Sequence, residues 1–71
     1  MLIRIGALSE TTGVSEDVLR SWERRYGLLA PQRTAGGFRL YSEDDVRRVR
    51  TMVSLLSSGL SAGEAARHVL E

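Results

Sequence analysis

The residues that most constrain this chain are Leu8, Gly13, Val14, Leu19 and Trp22, whose spacing suits two short helices joined at a glycine. Leu8 and Leu19 can lock the helices together, Gly13 can take the left-handed conformation that ends the first, and Val14 can plug the space beneath the turn. Ala7 and Ser9 are small enough to permit close approach. Ser15 reads as the cap of the second helix, with Glu16 and Asp17 in the first turn where the helix dipole favours acids. That helix is expected to run to about Tyr26 and to end at Gly27. At about 100° per residue, Val18, Leu19, Trp22 and Tyr26 share one arc, while Asp17, Arg20, Ser21 and Arg24 share the opposite one. Residues 6–26 are therefore expected to form a helix–turn–helix whose second helix turns guanidinium forks and short polar groups outward. Many helical bundles contain such turns, so the spacing alone fixes a local fold and not a function.

The next segment sharpens the reading. "LLAP" leads into "RTAGGFRLY", residues 33–41, with Pro31 fixing the entry and Gly36–Gly37 supplying a tight tip. Beyond the tip, Phe38 and Leu40 alternate with Arg39 and Tyr41, so packing Leu40 on the helices turns Arg39 outward. A hairpin this short holds no core of its own and must lie on the helical unit as a wing, over residues 28–41. An Arg at a wing can enter a DNA minor groove, where negative potential is greatest. The competing reading is a plain β-turn with a solvated Arg, and the preceding helix–turn–helix is what favours the wing.

Two further helices complete the chain. Ser42 and Asp45 form a capping-box pattern before a helix that runs to about Ser58 and stops at Gly59, and Ser61 with Glu64 repeats it for a helix over 62–70. Val46, Val49, Val53 and Leu56 give the third helix its core face, and Leu55 falls about 120° away from that face with no evident partner. "LIRI" at 2–5 suits a short strand or an entry into the first helix. The fold class is mostly α, a winged helix–turn–helix with a small β-hairpin wing and two following helices.

Composition narrows the function. Seventy-one residues make one domain, near the size at which a single core barely suffices. There is no cysteine, hence no disulfide, thiolate metal site or sulfur redox chemistry. Apolar runs are too short to span a membrane and no secretory segment follows Met1, so a soluble cytoplasmic protein is expected. All ten basic residues are arginine, and eight of them lie between residues 20 and 50 against four acids there, whereas acids prevail toward both ends. A basic middle points to a polyanionic partner. No nucleophile–base set or metal cluster is visible, His68 stands alone, and "TAGG" is too short for a phosphate loop, so an enzyme is not expected. Glu43–Arg47 and Asp44–Arg48 read as solvated pairs, and Arg25 as either an ion pair or a phosphate contact.

Taken together, "IGALSETTGVSEDVLRSWERRYGLLAPQRTAGGFRLYSEDDVRRV" resembles the DNA-binding domain of the MerR family of bacterial transcription regulators. The Gly-Val-Ser turn, Leu-Arg, Glu-Arg, Gly-Leu, the Gly-x-Arg-x-Tyr run and Asp-Val carry the likeness over nearly the whole chain, and "WERRYG" with "RTAGGFRLY" is most similar to the cobalamin-dependent CarA/CarH-like repressors. The sequence departs from the family at Ser21, where many members have an aromatic, and at Phe38, where His or Tyr is usual.

The resemblance implies double-stranded promoter or operator DNA as partner, with the second helix in the major groove. Asp17 and Arg20 would then face bases or phosphates and Arg24 the backbone, with Ser15 and Ser21 beside them. The wing would contribute Arg33, Thr34, Gly37, Phe38, Arg39 and Tyr41, with Arg39 at the minor groove. Trp22 is divided: the family often uses this position near phosphates, whereas the periodicity places the ring inside. The family's dimerising helix is absent, and the chain stops on Val69 and Leu70. We therefore expect the N-terminal part of a longer regulator, homodimeric only at full length and acting on RNA polymerase indirectly. No cofactor is expected in this chain, though a cobalamin-binding domain could follow it. The alternative is an excisionase-like architectural DNA-binding or protein-interaction module.

Overall fold

A computed structural model describes residues 1–71. Four helices and one hairpin follow in the order α1 (Ile5–Thr12), α2 (Glu16–Tyr26), β1 (Gln32–Arg33), β2 (Arg39–Leu40), α3 (Glu43–Ser57) and α4 (Ala62–Leu70). Gly13 ends α1 at φ 75°, a left-handed conformation that costs glycine nothing, and its N–H bonds back to the Ser9 carbonyl. The Ser15 hydroxyl then accepts the Val18 N–H and starts α2, so the turn is closed at both ends by local bonds.

Capping boxes start the other two helices. The Ser42 hydroxyl accepts the Asp45 N–H while the Asp45 carboxylate accepts the Ser42 N–H, and Ser61 and Glu64 repeat the exchange at α4. Asp45 does more than cap. Its carboxylate is buried, and it also accepts the Ala30 N–H at 3.1 Å and an Arg48 guanidinium N–H at 3.1 Å. A charge removed from water is tolerable here because every lone pair has a donor. The result fastens the loop before the wing to the start of α3.

One core joins all the helices: Leu8, Leu19, Trp22, Leu28, Leu29, Tyr41, Val49, Met52, Ala65 and Ala66. Six of its members fall outside the periodicity argument. Leu28 and Leu29 belong to a segment that reads as a plain connector, Met52 lies between two valines of the expected stripe, Tyr41 is expected at the wing surface, and Ala65 and Ala66 lie on a helix given no core face from spacing. Leu55 also differs from expectation. It is half-buried and packs against this core, because the chain folds back at Gly59 and lays α4 along α3. The ion pairs on α3 form at i,i+3 and not at i,i+4, joining Arg47 to Asp44 and Arg48 to Asp45. Asp45, drawn inward by its capping role, is what attracts Arg48 away from Asp44.

The hairpin pairs Gln32 with Leu40 and Arg33 with Arg39. The Gly37 N–H donates to the Thr34 carbonyl and the Thr34 N–H to the Phe38 carbonyl, making a three-residue turn with Gly37 at φ 84°. Gly37 alone of the tip pair needs the left-handed region; Gly36 does not. At the base of the wing, Ile3 and Tyr41 exchange backbone bonds of 2.9 and 2.7 Å, so the "LIRI" segment gives one bridged residue before entering α1.

Candidate nucleic-acid interface

The buried side of α2 is narrower than its periodicity suggests. Leu19 and Trp22 are its buried residues and Tyr26 is half-buried, whereas Val18 is exposed. Val18 is about 100° around from Leu19, at the open edge of a contact made with a helix of only eight residues. The opposite side carries the expected polar stripe. The Asp17 side chain is 97% exposed, Arg20 and Arg24 are exposed, and Ser21 is half-buried. Ser15 is exposed, but its hydroxyl is engaged by the cap.

The stripe is charge-balanced. Arg20 reaches Glu16 at 3.1 Å and Asp17 at 3.2 Å, so its guanidinium is held along the helix surface. Along the whole of α2, Glu16, Asp17 and Glu23 stand against Arg20, Arg24 and Arg25. Arg24 makes no ion pair, and Arg25 has no acid partner either, its guanidinium lying 5.6 Å from the Tyr26 ring centroid. Excess positive charge on this side of the molecule therefore comes from the wing and from Arg4.

Two expected contact residues are core residues. Tyr41 is 0% exposed and its hydroxyl donates to Glu23 at 2.8 Å, which removes it from any surface a ligand could touch. Burial, and then the accepting Glu23 carboxylate, push its phenol well above the ordinary value. Strand alternation would turn Tyr41 away from Leu40, but Tyr41 is the bridged residue at the wing base, where the chain already lies over the core. The Trp22 ring is 8% exposed and packs in the core as its periodicity implied, so only its indole N–H edge could reach outward.

The remaining wing residues stay at the surface. Arg33 donates to the Gly37 carbonyl at 3.3 Å and the Thr34 hydroxyl accepts the Phe38 N–H at 3.2 Å, both stiffening the tip. Arg39 is exposed, as its outward strand position implies, and its Nε donates to Glu23 at 3.0 Å. Glu23 thus holds Arg39 with one carboxylate oxygen and Tyr41 with the other. Phe38 is 52% exposed, with the Arg4 guanidinium 3.9 Å above its ring centroid. Sequence reasoning missed both Glu23 and Arg4; the Glu-Arg pair of the family pattern was visible, but nothing in the spacing shows that Glu23 reaches a residue 16 positions away.

A cleft opens between the two elements, lined by Arg20 of α2, by Gly37, Phe38 and Arg39 of the wing, and by Arg4 and Ile5. The outward stripe of α2 and the wing tip therefore lie side by side. No group of three or more His, Cys, Asp or Glu residues is gathered as a metal site would need, and no helix is long and apolar enough to cross a membrane.

Helix, glycine turn, capped helix, Arg-bearing hairpin and a two-helix support define a winged helix–turn–helix. Residues 3–71 match the family described as MerR HTH family regulatory protein, and the chain belongs to it. It is 41% identical to the HTH-type transcriptional repressor CarH of Myxococcus xanthus, over 90% of this chain and 21% of CarH. It is 42% identical to the repressor CarA of the same organism, over 97% of this chain and 25% of CarA. The chain therefore spans about a quarter or less of these relatives' length. The solution structure of the CarA N-terminal domain matches at a TM-score of 0.74 and 42% identity, covering 97% of this chain and 88% of that one. A MerR-family regulator from Bacillus cereus matches at 0.91 and 29% identity, over 100% and 53%. The fold is also that of HiNmlR, a MerR-family regulator lacking the sensor domain and bound to promoter DNA (TM-score 0.85, 22% identity, over 97% and 55%).

Proposed function

We propose that this chain is the DNA-binding domain of a bacterial transcription regulator, reading double-stranded promoter or operator DNA with α2 in the major groove and the wing at the adjacent minor groove. The observation that carries this is the juxtaposition of Arg20 with the wing tip across one cleft. A helix whose inner side is core and whose outer side is polar can lie in a major groove only if its neighbours clear the backbone, and a wing beside it then falls on the next groove. The relatives named transcriptional repressors, CarH and CarA, support the same reading. In this account Asp17, Arg20 and Ser21 face base edges or phosphates, Ser15 and Arg24 the backbone, and Arg33, Thr34, Gly37, Phe38 and Arg39 the wing's contacts. For Arg39 to reach DNA it must exchange Glu23 for phosphate or a groove edge. Trp22 contributes at most its N–H.

The share of CarH and CarA that is covered supports a longer regulator of which this is the N-terminal part. Such a protein would dimerise through segments outside these residues, occupy two half-sites, and act on RNA polymerase through the promoter. Any effector or cobalamin site belongs to those segments, and the domain works by binding and not by catalysis.

The test is titration of labelled duplex at two salt concentrations. Binding that weakens steeply with salt is expected, since arginine contacts release phosphate counterions. No binding at low salt, with the helical circular dichroism intact, would refute the proposal.

A further inference from the structure

The cleft between α2 and the wing has a third wall that groove reading does not use. Arg4, the residue before α1, lines the cleft together with Arg20 and Arg39. Its guanidinium lies 3.9 Å from the Phe38 ring centroid, a distance at which the planar cation stacks on the ring face. Stacking occupies the face of a guanidinium and leaves its N–H edge free to donate. The neighbouring arginines are committed, Arg20 to Glu16 and Asp17 and Arg39 to Glu23, whereas Arg4 takes part in no ion pair.

Three arginines thus line one open cleft, and Arg4 alone of them lacks a counter-charge. We propose that the cleft seats a single phosphodiester group of the duplex backbone, with Arg4 as its principal donor and Phe38 as the platform that aims it. This rests on the DNA-binding reading above and adds a contact to it. A neutral base edge would leave the Arg4 charge uncompensated, whereas a phosphate oxygen pair accepts from its planar fork. Stacking on Phe38 also pre-orders Arg4, so less side-chain freedom is lost on binding. The balanced charge of α2 gives this seat its weight: the recognition helix brings little net attraction, and Arg4 supplies attraction at its edge.

The experiment uses this chain and a duplex selected by it from a randomised pool, with neutral methylphosphonate linkages placed one position at a time. The Arg4 side chain makes no capping bond, so Arg4→Gln leaves the start of α1 unchanged. Arg4→Gln should weaken binding about tenfold at low salt and lower the slope of log affinity against log salt by about one. One linkage position that weakens the parent should become silent in Arg4→Gln, while Arg67→Gln on α4 changes nothing. If Arg4→Gln binds like the parent, the seat does not exist. If it binds more weakly yet every linkage position affects both proteins equally, Arg4 merely braces Phe38 and the proposal is overturned. Failure of the parent to bind any duplex would instead overturn the DNA-binding reading itself.

Discussion

Arg39 on the second strand of the wing donates to the Glu23 carboxylate in the middle of α2 at 3.0 Å, joining residues 16 positions apart. Because the other Glu23 oxygen accepts the Tyr41 hydroxyl at 2.8 Å, one half-buried acid ties α2 to the wing and its base. Glu23→Ala should therefore destabilise the domain by about 2–3 kcal/mol, since it leaves a buried hydroxyl and a guanidinium without their acceptor. Glu23→Gln, which keeps an acceptor, should cost less. Urea unfolding of the three proteins checks this, and an alanine variant as stable as the parent would contradict it.

Tyr41 gives the stability a pH dependence at the alkaline end. Its phenol is pushed above the ordinary value of 10.0, so the folded chain keeps a proton that the unfolded chain has lost. The associated stability is complete below about pH 10 and declines as pH rises beyond it. Tyr41→Phe should lose about 1–2 kcal/mol at neutral pH with its hydrogen bond, and should lose that alkaline decline as well. Thermal melts from pH 8 upward compare the two; parallel curves would count against the buried phenol.

The two central arginines should differ in how they fail. Arg20→Ala removes an exposed side chain held only by its own helix, so it should weaken duplex binding by about tenfold or more while leaving stability within about 0.5 kcal/mol. Arg39→Ala should weaken binding, relax any A·T preference near the wing, and also lower stability, because it releases Glu23. Binding isotherms paired with melts separate these outcomes.

Gly37→Ala isolates the wing tip. With φ at 84°, an added side chain costs about 1–2 kcal/mol in that turn. Weaker DNA binding is expected with the helical core intact, and amide exchange at Thr34 and Phe38 should accelerate before exchange in α3. Unchanged wing protection would show that the turn accommodates alanine.

Assembly is the fifth expectation. The apolar residues that hinted at an exposed interface are largely accounted for: Leu55 and Val69 pack against the core, and Leu70 stays exposed. These residues should be monomeric in dilute solution and bind a half-site weakly, without the gain that linked half-sites provide. Sedimentation at several concentrations tests it, and a tight dimer without DNA would contradict it.

Local signals made the helices legible. Gly13 and Gly27 end α1 and α2, and Ser15, Ser42 and Ser61 begin α2, α3 and α4, because each acts on bonds within a few residues. The polar stripe of α2 follows from the same short-range geometry. What escaped were relationships set by distance in sequence. Tyr41 reads as a wing surface residue until Ile3 pairs with it, and Leu28 and Leu29 read as a connector until the wing folds over α2. Arg39 reads correctly as outward-facing, but the Glu23 that holds it comes within reach only in the fold. Arg4, at the edge of the chain, has no local pattern at all, and its place against Phe38 exists only once the first and middle parts of the chain meet.

The central claim is that α2 and the wing together form the DNA-binding face, and amide resonance mapping tests it most directly. On titration with a selected duplex, the largest shifts should fall on residues 15–24 and 33–39, with α4 nearly unchanged. Shifts confined to α4 and the outer side of α3, with α2 and the wing undisturbed, would contradict it.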